Sequence, residues 1–117
     1  MELYNIQSIY EEFVYPKEFM KLLDLNLLDF EFWYLMTKEQ TEIRIKGLRN
    51  RYPMRKLVPF ARRDDCDDIA CFEVGKNGKV QIIHDFASCG YEQKQEYENF
   101  WSWFRSAINE LIDNVEY

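Results

Sequence analysis

Gly75-Lys76-Asn77-Gly78 separates two short runs of alternating residues, 69–74 and 80–86. Asn-Gly accepts the positive φ angles of a tight reversal, so the spacing predicts an antiparallel hairpin. In the first run Ala70, Phe72 and Val74 share one face, with Ile69, Cys71 and Glu73 opposite. In the second, Val80, Ile82, His84 and Phe86 fall together. A lone hairpin is marginal in water, so the rest of the chain has to cover it. At 117 residues, 47% hydrophobic and 17% aromatic, the chain has the material to do so. A chain of this size buries roughly two-thirds of its unfolded surface and needs no disulfide or metal staple. No repeat or Ser/Gly-rich linker interrupts it, so 1–117 reads as one domain.

The flanks read mostly as helix. Residues 4–14 place Ile6, Ile9, Tyr10, Phe13 and Val14 at helical spacing. Pro16 suits the first turn of a second helix over 16–25, with Phe19, Leu22 and Leu23 on one side and Asn26 as its stop. Residues 32–36 form a short strand candidate. Thr37, with Gln40 three residues on, has capping-box spacing for a helix over 38–51. Residues 56–61 are a further strand candidate, with Pro59 marking an edge position or a strand end. Residues 87–96 are polar and turn-like around Gly90. A long helix over 97–113 follows, striped by Phe100, Phe104, Ala107, Ile108 and Leu111. Helices, then strands, then a helix predict an α+β fold with a largely antiparallel sheet.

Charge narrows the function classes. The formal net charge is −6, unfavourable for non-specific nucleic-acid binding. It is unevenly spread. Residues 1–63 carry 11 basic and 9 acidic side chains, whereas 64–117 carry 4 and 12. Arg44, Lys46, Arg49, Arg51, Arg55, Lys56, Arg62 and Arg63 follow one another with no acid between them; Asp64, Asp65, Asp67 and Asp68 come next. Such a switch either salts a basic helix face against an acidic loop or makes a bipolar surface that orients a partner. The first residues have neither a basic nor an apolar leader segment, and no apolar run approaches membrane-span length. The three cysteines, Cys66, Cys71 and Cys89, are odd in number. Free thiols in a reducing compartment follow, and a cytoplasmic location is expected.

Catalytic patterns are sparse. His84, the one histidine, could serve as a base for Cys89 or Ser88, or could be a sheet histidine bonded to a neighbour. The cysteine spacing does not match a zinc site, and the aspartate run lacks the turn glycine and closing Glu of an EF-hand. There is no phosphate-cradling Gly-rich loop and no Gly-x-Ser-x-Gly elbow. No metal, cofactor or catalytic residue is therefore assigned. Trp33, Trp101 and Trp103 each read either as core or as an interface anchor.

The succession of motifs resembles the SUKH superfamily of Smi/Knr-type domains. Pro16-Lys17-Glu18-Phe19 followed by Leu22-Leu23 is similar to its early helix. Leu57-Val58-Pro59-Phe60-Ala61, the aspartates 64–68 and Ile69-Ala70-Cys71-Phe72-Glu73 resemble its strand, acidic loop and strand. The run from Lys79 to Asp85 is similar to the next strand. Tyr97-x-x-Phe100-x-x-Trp103-Phe104 resembles the closing helix. Two loops depart from the pattern. Leu27-Leu28 follows Asn26 in place of Gly-Gly, and Cys66 stands before Asp67 in place of Gly.

The resemblance implies a sheet flanked by helices and a non-catalytic role. Bacterial members are commonly immunity proteins that bind a cognate toxin, often a nuclease, and fungal relatives are cell-wall and signalling regulators. The expectation is an immunity protein that neutralises a basic toxin domain by stoichiometric binding. Asp64, Asp65, Asp67, Asp68 and Asp85 would supply charge, and Trp33, Tyr91 and Trp101 aromatic anchors. Pro59, Phe60 and Trp103 would be fold determinants. A regulatory or scaffold domain docking on another cellular protein is the alternative; an enzyme using His84 with Cys89 is a third.

Overall fold

A five-stranded antiparallel meander in the order β1-β2-β3-β4-β5 organises the computed structural model, which describes residues 2–115. The strands are β1 (Trp33–Leu35), β2 (Leu57–Arg63), β3 (Asp68–Glu73), β4 (Val80–His84) and β5 (Gln93–Tyr97). The helices are α1 (Lys17–Asp24), α2 (Lys38–Arg51) and α3 (Phe100–Asp113). The fold is α+β.

Alternation along the central strands buries both faces of the sheet. Ala70, Phe72, Val80 and Ile82 join Phe19, Leu22 and Leu23 of α1 and Phe100, Trp103 and Ala107 of α3 in the larger cluster. Ile69, Cys71 and Ile83 point the other way, onto Leu48 and Tyr52 at the end of α2. The larger cluster is an aromatic stack centred on Phe60 and Phe72, whose rings lie 4.4 Å apart.

Local signals set several boundaries. Thr37 Oγ1 accepts from Gln40 N–H, and Gln40 Oε1 accepts from Thr37 N–H, closing the capping box that starts α2. Asn26, at φ 56°, ends α1: Leu27 N–H donates to Leu22 C=O and Asn26 N–H to Leu23 C=O. That is a Schellman closure with Asn in the left-handed position. The β3–β4 reversal places Gly75, Asn77 and Gly78 at positive φ, as the hairpin signal requires.

Four sequence expectations are corrected. Residues 4–14 form only a 3₁₀ turn at Ile6–Ser8, although Ile6, Tyr10 and Phe13 are buried. Asn5 supplies no side-chain cap, and a short segment without one does not offset helix nucleation. Pro59 sits inside β2, opposite Cys71 of β3 and past the end of β1, whose pairing stops at Ala61. The register slips between Pro59 and Ala61, leaving Phe60 as the extra residue, so a bulge accommodates the missing N–H. The polar stretch 87–96 contains most of β5, an exposed edge strand whose Gln93-Lys94-Gln95-Glu96 carries no apolar alternation. The last helix begins at Phe100, capped by Asn99 Oδ1 accepting from Ser102 N–H, and Tyr97 belongs to β5.

Candidate partner-binding site

The β2–β3 loop, residues 64–67, stands at one end of the sheet. Arg63 fixes its base. The Arg63 guanidinium donates to both carboxylate oxygens of Asp65, at 2.7 and 2.9 Å, and to both of Glu110 on α3, at 2.9 Å each. The same guanidinium lies over the rings of Phe32 and Trp33. The hydrogen bonds from Arg63 hold the Asp65 carboxyl down at about 2. Asp64 and Asp67 are exposed and take part in no ion pair among the described residues.

A second loop adjoins the first, since Asp85 N–H donates to Asp67 C=O at 3.2 Å. It carries Tyr91, 82% exposed, and Phe86, 60% exposed. Phe86 has φ 70°, a costly conformation for a bulky residue. Asp85 Oδ1 accepts from its N–H, and the Arg51 and Arg44 guanidiniums lie 4.3 and 5.5 Å from its ring. Aspartates and exposed aromatics thus share one sheet end. Phe86 was not singled out in the sequence, because nothing in Asp85-Phe86-Ala87 signals a left-handed residue.

Three expected partner contacts are corrected. Asp85 is buried, held by Arg44 and Arg51 of α2. Asp68 is buried too; its carboxylate is taken by His84 Nδ1 at 2.9 Å and by Lys94 Nζ. Trp33 is 4% exposed and packs edge-on against Trp103 inside the core. None of the three offers a surface to a partner. Trp101 is exposed on α3 and joins none of the loop's hydrogen bonds or ion pairs.

The basic run is largely used within the fold. Arg44 and Arg51 hold Asp85, Arg55 pairs with Glu73 and Glu92, and Arg63 with Asp65 and Glu110. The sharp charge switch along the chain is, in space, mostly a set of closed ion pairs joining the halves. What stays open at the loop is the negative charge of Asp64 and Asp67.

His84 Nδ1 is engaged by Asp68, and no hydrogen bond among the described residues joins His84 to Cys89 or Ser88. Partial desolvation by its neighbours, followed by the nearby Asp68 and Asp65 charges, raises the Cys66 thiol above its ordinary range, away from the reactive thiolate. Among the described residues no group of three or more His, Cys, Asp or Glu is placed to hold a metal, and no helix is long and apolar enough to cross a membrane.

Acid should loosen this end. Burial tends to raise the Asp68 carboxyl, but the bonds from Lys94 and His84 outweigh it and keep it below its ordinary range. Burial also opposes ionisation of Glu92, and its backbone N–H contacts and Arg55 again win. Carboxyls depressed in the folded state bind protons less readily than in the unfolded chain. Their stabilisation is complete above the unfolded values and is lost as pH falls through the folded ones. The urea midpoint should be flat from about pH 7 to 5 and should fall between about pH 4 and 2. A midpoint unchanged at pH 2 would show that these pairs do not stabilise the fold.

Compared with family models, with curated proteins and with solved structures, the chain matches none.

Proposed function

We propose that this chain is a protein-binding domain whose acidic sheet end docks on a basic protein, and that it acts as an immunity protein, blocking one cognate toxin domain by one-to-one binding. The observation that carries the reading is the contrast in charge. Four arginines of the basic run are engaged by carboxylates within the fold, while Asp64 and Asp67 are exposed and join no ion pair among the described residues, at the same sheet end as the exposed Tyr91 and Phe86. Exposed carboxylates steer a basic partner and occupy the positions that phosphates take in a nuclease cleft. Exposed aromatics supply rigid apolar contact at low entropic cost. The motif succession resembling the SUKH superfamily favours a toxin as the partner. No step of this role calls for catalysis or a cofactor.

Co-expression with a basic toxin domain, sought first in whatever gene lies upstream, tests the reading. The chain should restore growth and co-purify with that domain. Failure of both would overturn the immunity role, and co-purification without rescue would favour a docking domain with another purpose.

A further inference from the structure

A cleft of about 200 Å³ opens between α3 and the sheet face that α3 covers. It adjoins the β2–β3 loop, since Arg63 and Asp68, the residues on either side of that loop, both line it. Its apolar wall is Trp33, Ile82, Trp103 and Ala107, each buried. An engineered apolar cavity of about 150 Å³ accepts benzene, so this cleft is large enough for one small ring with a substituent.

One polar atom of that wall is unanswered. Trp103 is 2% exposed, and its indole Nε1 is buried with no hydrogen-bond partner among the described residues. A buried donor without an acceptor is costly. The rings packed against Trp103, those of Trp33, Phe60, Phe100 and Phe104, carry no oxygen acceptor. The cleft is where an acceptor can reach it. On the same cleft, Tyr97 Oη and Ser106 Oγ lie 3.1 Å apart. One hydrogen makes that bond, and the other hydroxyl hydrogen remains to be donated.

Charge decides the kind of molecule. Four charged side chains line the cleft, and they are already matched: Arg63 with Glu110, and Lys94 with Asp68. An ionic ligand would bring an unmatched charge into a partly buried site. A neutral ligand has to accept from Trp103 Nε1–H and from the spare hydroxyl. The lining carboxylates still have lone pairs for a donor, since Glu110 takes two bonds from Arg63 and Asp68 one each from His84 and Lys94. A carboxamide carries both functions on one planar, uncharged group. We propose that this cleft binds a small uncharged carboxamide, whose C=O accepts from Trp103 Nε1–H and whose NH₂ donates to a lining carboxylate. Asp64 and Asp67 do not line the cleft, and the inference stands independently of the toxin reading.

Benzamide, benzoate, benzylamine and benzyl alcohol share a shape and differ in head group. Each is titrated to about 20 mM into the full chain and followed by proton–nitrogen correlation spectra. Benzamide should shift the Trp103 indole peak and the Ser106 and Ala107 amide peaks saturably, with a Kd of about 1–10 mM, and leave the exposed Trp101 indole peak in place. Benzoate and protonated benzylamine should each bind about tenfold more weakly or worse. Trp103→Phe keeps a ring and removes the N–H, so it should weaken benzamide by about tenfold. Ser106→Leu, at a half-buried site on the cleft, fills the space and should abolish binding while the spectrum stays that of a folded chain. Absence of saturable benzamide shifts in wild type would overturn the inference, as would equal binding of all four probes. Undiminished binding by a folded Ser106→Leu or Trp103→Phe would overturn it too. Tighter binding of benzyl alcohol than of benzamide would assign the cleft to hydroxyl ligands and overturn the carboxamide.

Discussion

Asp85→Ala should lower the free energy of unfolding by about 3–5 kcal/mol in a urea titration, the range for removing one partner from a buried charge cluster. The Asp85 side chain has no exposed surface, while Arg44 and Arg51 are about a quarter exposed. Arg44 Nη1, Arg51 Nε and Nη2 and the Phe86 N–H all donate to it, each at 2.8 Å. Removing the carboxylate leaves two guanidiniums facing each other over the Phe86 ring. It also frees the α2 side of the sheet, because these bonds tie α2 to the end of β4. Asp85→Asn keeps the shape and part of the hydrogen bonding, so it should fall between wild type and Ala. A loss under about 1 kcal/mol for Asp85→Ala would mean that the arginines find water at little cost.

Phe60→Ala should cost a similar amount, about 3–5 kcal/mol, by opening a cavity where the larger cluster is densest. Phe60 is 3% exposed. Its ring stacks on Phe72 and meets Trp103 at 5.0 Å and Phe19 at 5.4 Å, so β2, β3, α1 and α3 all converge on it. As the extra residue of the bulge, it cannot be replaced in that position by a neighbour sliding along the strand. Phe60→Leu should recover much of the loss. A cost for Phe60→Ala no greater than that of an exposed-site substitution would show that the cluster collapses around the gap.

The parts of the fold that were legible in sequence are those specified locally. The Asn-Gly reversal, the Thr37–Gln40 box and the Asn26 stop each act within about six residues, and each appears where its spacing places it. β5 was not legible, because an edge strand needs no buried face and Gln93-Lys94-Gln95-Glu96 therefore has no apolar rhythm. The candidate site was half legible. The aspartate run identified the loop, but which of its members are free depends on partners far away in the chain. Asp68 is consumed by Lys94, 26 residues on, and Asp85 by arginines 34 and 41 residues earlier. Charge counting along the sequence cannot separate a consumed carboxylate from a free one. Trp33 and Trp101 show the same limit for aromatics, since β1 turns one into the core while α3 leaves the other outside.

The central claim is that unpaired acid at the sheet end makes the contact. The direct test is calorimetry of a basic domain that co-purifies with the chain, titrated against wild type and against Asp64→Lys combined with Asp67→Lys. Both sites are exposed and outside the ion-pair network, so the variant's unfolding free energy should stay within about 0.5 kcal/mol of wild type. Its affinity should fall by about 100-fold or more, and raising the salt should weaken the wild-type complex more than the variant. A folded variant that binds as tightly as wild type would contradict the account.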